Sequence, residues 1–129
     1  MKKAIATNDA PTAVGPYSQA IVVGNTLYSA GQIPLDPGTG EMVTGDISVQ
    51  TTRVLENLLA VLKVNSMTFA HVVKTTVFLT NLGDFAAMNA VYAHYFPEPF
   101  PARSTVQVSA LPKGAQVEIE VVAVLNKAA

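Results

Sequence analysis

Between Val117 and Leu125 the chain carries apolar side chains on both faces of what reads as a single β-strand. Val117, Ile119, Val121, Ala123 and Leu125 fall on one side, and Val122 and Val124 on the other. Both faces of such a strand have to be covered. The rest of the sequence supplies only two amphipathic helices to do it. Leu55, Leu58, Leu59 and Leu62 stand at i, i+3, i+4 and i+7, which predicts a helix from about Ile47 to Val64 with Asp46 as its N-cap. Phe85, Met88, Tyr92 and Tyr95 predict a second helix behind Asp84, ending near Tyr95. Two helices with one apolar stripe each cover only one face of a sheet. The other face needs a partner, and composition agrees: 50% of residues are hydrophobic and 13% charged, against a usual charged share of about 25%. No apolar run reaches the roughly 18 residues of a membrane helix, so the surplus is expected to go into contacts between copies of the chain.

The remaining elements follow from β-favouring runs and chain breakers. Gln19–Val23 and Thr26–Gln32 flank Gly24-Asn25, a two-residue turn whose members both tolerate positive φ, and read as a hairpin. Asp36-Pro37-Gly38-Thr39-Gly40 is a loop. Val72–Thr80 is rich in Val, Thr and Phe and predicts a strand. Pro97, Pro99 and Pro101 then break the chain. Two further strands, about Arg103–Val108 and Val117–Leu125, are joined through Leu111-Pro112-Lys113-Gly114. The order is β-β-α-β-α-β-β, an α+β fold with one sheet and two helices on one face. With 129 residues, no internal repeat and no linker, residues 1–129 read as one domain.

Charge and cysteine usage narrow the chemistry. Eight basic residues against nine acidic ones give a net charge of −1, and the basic residues are scattered along the chain rather than gathered in a stripe. That argues against nucleic acid as the main partner. The absence of cysteine excludes disulfides, thiolate catalysis and cysteine-ligated zinc. His71 and His94 are isolated, with no metal-binding spacing, so surface or packing roles are expected. GxSxG, P-loop and GxGxxG signatures are missing, which removes the usual signs of nucleophilic and phosphate chemistry. Lys2 and Lys3 are not followed by an apolar h-region, so a secretory signal is not expected and the cytosol is the default.

The residues left over point to a small carboxylate ligand. Strand alternation puts Arg103, Thr105 and Gln107 on one face, and Glu118 and Glu120 share a face of the last strand. If those two strands pair, Arg103 lies near Glu118 or Glu120. The pair then reads either as a structural cross-strand ion pair or as a guanidinium free to grip a ligand carboxylate through two hydrogen bonds. Pro99 and Pro101 fix the approach to Arg103 and favour the second. Tyr17, in Gly15-Pro16-Tyr17-Ser18, is either a phenol presented by a rigid loop or an aromatic plug at the core edge. Gly31 is either a turn glycine or a point of close ligand approach. Asn89, mid-helix, is either solvated or directed to a neighbouring loop.

Taken together, Gly15-Pro16-Tyr17-Ser18-Gln19, Ala30-Gly31-Gln32-Ile33-Pro34, Lys74–Leu79, Phe100-Pro101-Ala102-Arg103-Ser104 and Leu111-Pro112-Lys113-Gly114 through Glu120 resemble the RidA (reactive intermediate/imine deaminase, YjgF-type) family nearly end to end. The resemblance implies a chorismate-mutase-like fold and a homotrimer around a central β-barrel, with sites between neighbouring subunits. It implies cofactor-free, metal-free hydrolysis of enamine/imine intermediates such as 2-aminoacrylate and 2-aminocrotonate to 2-keto acids and ammonia. Carried over by position, Arg103 holds the substrate carboxylate and Glu118 positions or activates water. Tyr17, Asn89 and Thr105 line the pocket, and the Gly31 backbone binds the carboxylate. Two departures bear on substrate preference: Thr105 stands where many relatives have cysteine, and Ala30 where many have serine, with Ser29 as a possible substitute hydroxyl. A Glu118 in a dry cleft feels burial raising its pKa and a nearby Arg103 lowering it. Two other functions remain open: a non-catalytic trimer that binds a small keto or amino acid, and RNA cleavage or translation inhibition, a label attached to some of the family.

Overall fold

A computed structural model describes residues 1–125. Strands β1 (Lys3–Ile5), β2 (Ala20–Val23) and β3 (Thr26–Ser29) precede helix α1 (Ile47–Val64). Strand β4 (Val72–Leu79), helix α2 (Phe85–Tyr95), β5 (Ala102–Gln107) and β6 (Val117–Val124) complete the order. The strands form one sheet in the order β1-β2-β3-β6-β4-β5. Only β4 and β5 run parallel, and α2 makes the crossover between them. The three-residue β1 was not anticipated: Lys-Ala-Ile is too short to show an alternation, and it is a strand because it pairs with β2 at the sheet edge.

Local chemistry explains the elements. In the hairpin only Gly24 takes positive φ (59°), so Asn25 does not need the left-handed region that the sequence allowed it. Asn25 instead clasps the end of β6: its carbonyl accepts from Leu125 N–H at 2.8 Å, and its Nδ2 donates to the Leu125 carbonyl at 3.2 Å. Asp46 caps α1 as expected, accepting from Val49 N–H at 3.1 Å. Replacing Asp46 with Ala is expected to lower stability by about 1 kcal/mol, read from the urea midpoint at an unchanged m-value. Asp84 occupies the cap position of α2 without a capping bond. The chain enters α2 through a 3₁₀ turn, Leu82–Asp84, whose own cap is Asn81, accepting from Gly83 N–H at 2.8 Å.

Both helices lie on one face of the sheet. Leu55, Leu58 and Leu62 of α1, Met88 and Tyr92 of α2, and Val117, Ile119, Val121 and Ala123 of β6 are buried between the layers. The stripe on α2 is narrower than the spacing implied, because Phe85 at its start is 37% exposed. The opposite face of the sheet carries Tyr28 and Val106, both exposed, with Phe78, Val122 and Val124 half-buried beside them. The two-faced character of the last strand thus has its counterpart in a sheet with one covered face and one open apolar face.

One expectation fails. β5 and β6 are not neighbours, because β4 lies between them: Thr75 pairs with Arg103 on one side and with Val121 on the other. Phe78, not Arg103, is the partner of Glu118. Since Thr75 and Phe78 differ by an odd number of positions, Arg103 and Glu118 project from opposite faces of the sheet. The cross-strand ion pair is therefore excluded, and so is any direct approach of the two groups within one chain.

Candidate active site

The candidate side chains gather into two separate arrays. The first surrounds Arg103, which points to the helix-covered face at the edge strand β5. Its Nη1 donates to Asn89 Oδ1 at 2.7 Å, so the mid-helix amide is neither solvated nor aimed at a loop. The guanidinium carbon lies 4.7 Å from the Tyr92 ring centre and 5.3 Å from that of Phe85. Thr105, two residues along on the same face, has a buried Oγ1 with no hydrogen-bond partner. A buried hydroxyl of this kind is uncommon, because leaving it unmatched costs roughly 1–3 kcal/mol. Its position beside an arginine makes it a candidate contact for a ligand.

The second array lies on the other face, around Glu118. Its carboxylate packs over the backbone of Gly31, where a Cβ would stand 2.8 Å from Glu118 Cδ. A side chain at position 31 would therefore displace the Glu118 carboxylate, so the glycine serves a close approach rather than a turn. Gln32, next in sequence, exchanges both backbone hydrogen bonds with Ile119, at 2.9 and 3.2 Å, and so fixes Gly31 beside Glu118. Tyr17 and Glu118 line one cleft of about 570 Å³ together with Pro11, Gly31, Ile33 and Lys113. Tyr17 is 55% exposed, which rules out the core plug and leaves the phenol presented on its loop. Val14 N–H donates to its hydroxyl at 3.4 Å.

Electrostatics distinguish the two arrays. Burial pushes the Glu118 carboxyl above the ordinary carboxylate range, and the like charge of Glu120 adds to the effect. The opposing pull expected from Arg103 is absent, because the sheet separates them. Burial also raises the Tyr92 phenol, although Thr75 and Arg103 oppose it, so that hydroxyl stays neutral.

Several residues named in the sequence take supporting roles that sequence reasoning did not assign. Gln19 is buried; its amide accepts from Thr7 N–H at 2.7 Å and donates to Pro11 O at 2.7 Å, which folds the loop that presents Tyr17. Lys113 lines the Glu118 cleft in the left-handed conformation (φ 58°), which the neighbouring Gly114 alone would have hinted at. Ser29 does not replace the hydroxyl missing at Ala30: it faces β6 and accepts from Val121 N–H at 2.9 Å. His71 is structural, its Nδ1 accepting from Thr68 N–H at 3.0 Å in a capping box. Among the described residues no group of three or more His, Asp or Glu is placed to hold a metal ion, and no helix is long and apolar enough to cross a membrane.

Comparison with known proteins identifies the family. Residues 7–125 match the family described as Endoribonuclease L-PSP. Protein DfrA of Myxococcus xanthus is 57% identical over 125 residues, 95% of each chain. The human 2-iminobutanoate/2-iminopropanoate deaminase is 45% identical over 124 residues, 96% of this chain and 90% of the human one. The crystal structure of E. coli TdcF with bound serine superimposes with a TM-score of 0.91 at 42% identity, covering 96% of this chain and 99% of the other. The fold, the motif series and these relatives together show that the chain belongs to the RidA/YjgF family, the one also described as Endoribonuclease L-PSP.

Proposed function

We propose that this protein is an enamine/imine deaminase that works as a homotrimer, each site built from the Arg103 array of one protomer and the Glu118 array of its neighbour. The observation that carries the proposal is the separation itself. A single chain holds a guanidinium suited to grip a carboxylate and a partly desolvated carboxyl, but on opposite faces of its sheet, so in this reading neither array is a complete site. A neighbour that covers the open apolar face around Tyr28, Phe78 and Val106 also brings its arrays to the subunit boundary. The names of the human relative and of TdcF with bound serine support a substrate built on a small amino-acid skeleton.

In this reading Arg103, with the Gly31 backbone of the neighbour, fixes the carboxylate of a protonated 2-imino acid. Tyr17, Asn89 and Thr105 line the pocket. Glu118 accepts a proton from water as the oxygen adds to C2, giving a carbinolamine. A proton then passes to the nitrogen, the C2–N bond breaks, ammonia leaves, and the hydroxyl loses its proton as the carbonyl forms. One imine and one water yield one 2-keto acid and one ammonia, with no oxidant and no cofactor. Imines react with water unaided, so orientation plus general-base help of about 10²–10⁴-fold suffices.

The test generates the imine with a serine or threonine dehydratase and follows the decay of its absorbance with this protein added. Acceleration that saturates with substrate is expected. Because the base must be ionised and burial has raised its pKa, activity is expected to fall on acidification while ordinary carboxylates are still charged. No acceleration, with calorimetric binding of 2-ketobutyrate intact, would instead support a sensing trimer, which the unmatched Thr105 hydroxyl favours. Binding of RNA that weakens steeply with salt would support the nuclease reading, which the scattered basic residues oppose.

A further inference from the structure

We propose that Tyr92 and Phe85 are positioning residues for Arg103: with Asn89 they form a rack on one face of α2 that holds the guanidinium plane ready for a carboxylate. The inference rests on the deaminase site described above and adds two residues to it. Phe85, Asn89 and Tyr92 stand at i, i+4 and i+7, so they share one helix face. All three meet the same side chain, two through their rings and one through its amide oxygen. The aromatic rings hold the cation without using up its N–H groups, and Asn89 takes only Nη1. The other donors stay available for a two-pronged bond to a ligand.

The rack is itself fixed. Tyr92 is 6% exposed, and its hydroxyl lies 2.8 Å from Thr75 Oγ1 on β4, a residue with no exposure at all. Its ring stacks on Phe96 at 4.1 Å between centres, with 22° between the planes. Thr75 is also the strand partner of Arg103. The base of the arginine and the ring beneath its head are therefore tied to the same residue. Phe85 differs in being partly exposed, so packing gives it little reason to be aromatic. Its reason is the cation beside it.

The experiment measures kcat and KM for dehydratase-generated imine in Phe85→Leu, Tyr92→Leu and Tyr92→Phe, each alone and in an Arg103→Ala background. Loss of either ring is expected to raise KM by ~3- to 30-fold, the range of one cation–π contact, with kcat moving less. Tyr92→Phe keeps the ring and is expected to keep KM within about twofold of wild type. In the Arg103→Ala background the ring substitutions should add nothing, since a rack has no role without its arginine. If Phe85→Leu is harmless alone, or if its effect persists in full without Arg103, the positioning role is wrong. Persistence would mean that the ring touches substrate directly. If Arg103→Ala itself leaves turnover intact, the deaminase site fails, and that failure is read separately. Should Tyr92→Leu not fold, the exposed position of Phe85 leaves the test complete.

Discussion

Exchanging Glu118 for Gln is expected to lower kcat by about 10²–10⁴-fold, the usual contribution of a general base, while raising the melting temperature at neutral pH. The two effects have one cause. Glu118 sits against Gly31 where burial, and then Glu120, favour its protonated form. A carboxyl whose pKa is higher folded than unfolded binds its proton more tightly in the native state. The stability this gives is complete below the unfolded pKa and is lost as pH rises through the folded one. Gln stays neutral throughout and does not suffer that loss. The gain over wild type should therefore be present at neutral pH and shrink as the solution is acidified through the folded pKa. Thermal melts across that range, alongside single-turnover decay of the imine, check both halves. A Gln variant that is as active as wild type would remove Glu118 from the chemistry.

Mixing two inactive proteins is expected to restore activity. Arg103→Ala loses charge-assisted hydrogen bonds worth roughly 1.5–3 kcal/mol each, or about 10- to 150-fold in kcat/KM. Glu118→Gln loses the base. If each site takes Arg103 from one protomer and Glu118 from the next, random reassembly leaves both groups intact in about one quarter of sites. Refolding the two variants together should then raise activity far above the sum of the parents. A site made within one chain recovers nothing, because every chain lacks one group. Mass spectrometry of the assemblies establishes that the subunits have exchanged. Mixed assemblies with no recovered activity would refute the shared site.

Much of this was legible in the sequence, and the limits are instructive. The leucine stripe and Asp46 gave α1 its bounds because helix periodicity and capping are local. The both-sided apolar pattern of β6 announced an open face for the same reason. What could not be read was which strands are neighbours. Alternation assigns a side chain to a face but says nothing about sheet order, so Arg103 and Glu118 looked like a possible pair when β4 in fact divides them. The rings around Arg103 were hidden for a related reason: Phe85 and Tyr92 looked like one more core stripe. The role of Gln19 went unread because a buried amide holding a loop looks, from sequence, like any polar residue opening a strand.

The place of β6 between β3 and β4 bears on how the protein comes to be folded at all. A chain cut short before Val117 holds a three-stranded N-terminal sheet and a separate β4-β5 pair, with no strand to hydrogen-bond between them. Contacts such as Asn25 with Leu125 then close loops of nearly the whole domain, the kind of long-range pairing that forms slowly. Until that last strand threads into its slot, the edges of β3 and β4 stand open to other chains, which makes fragments and nascent forms the species most in need of a chaperone.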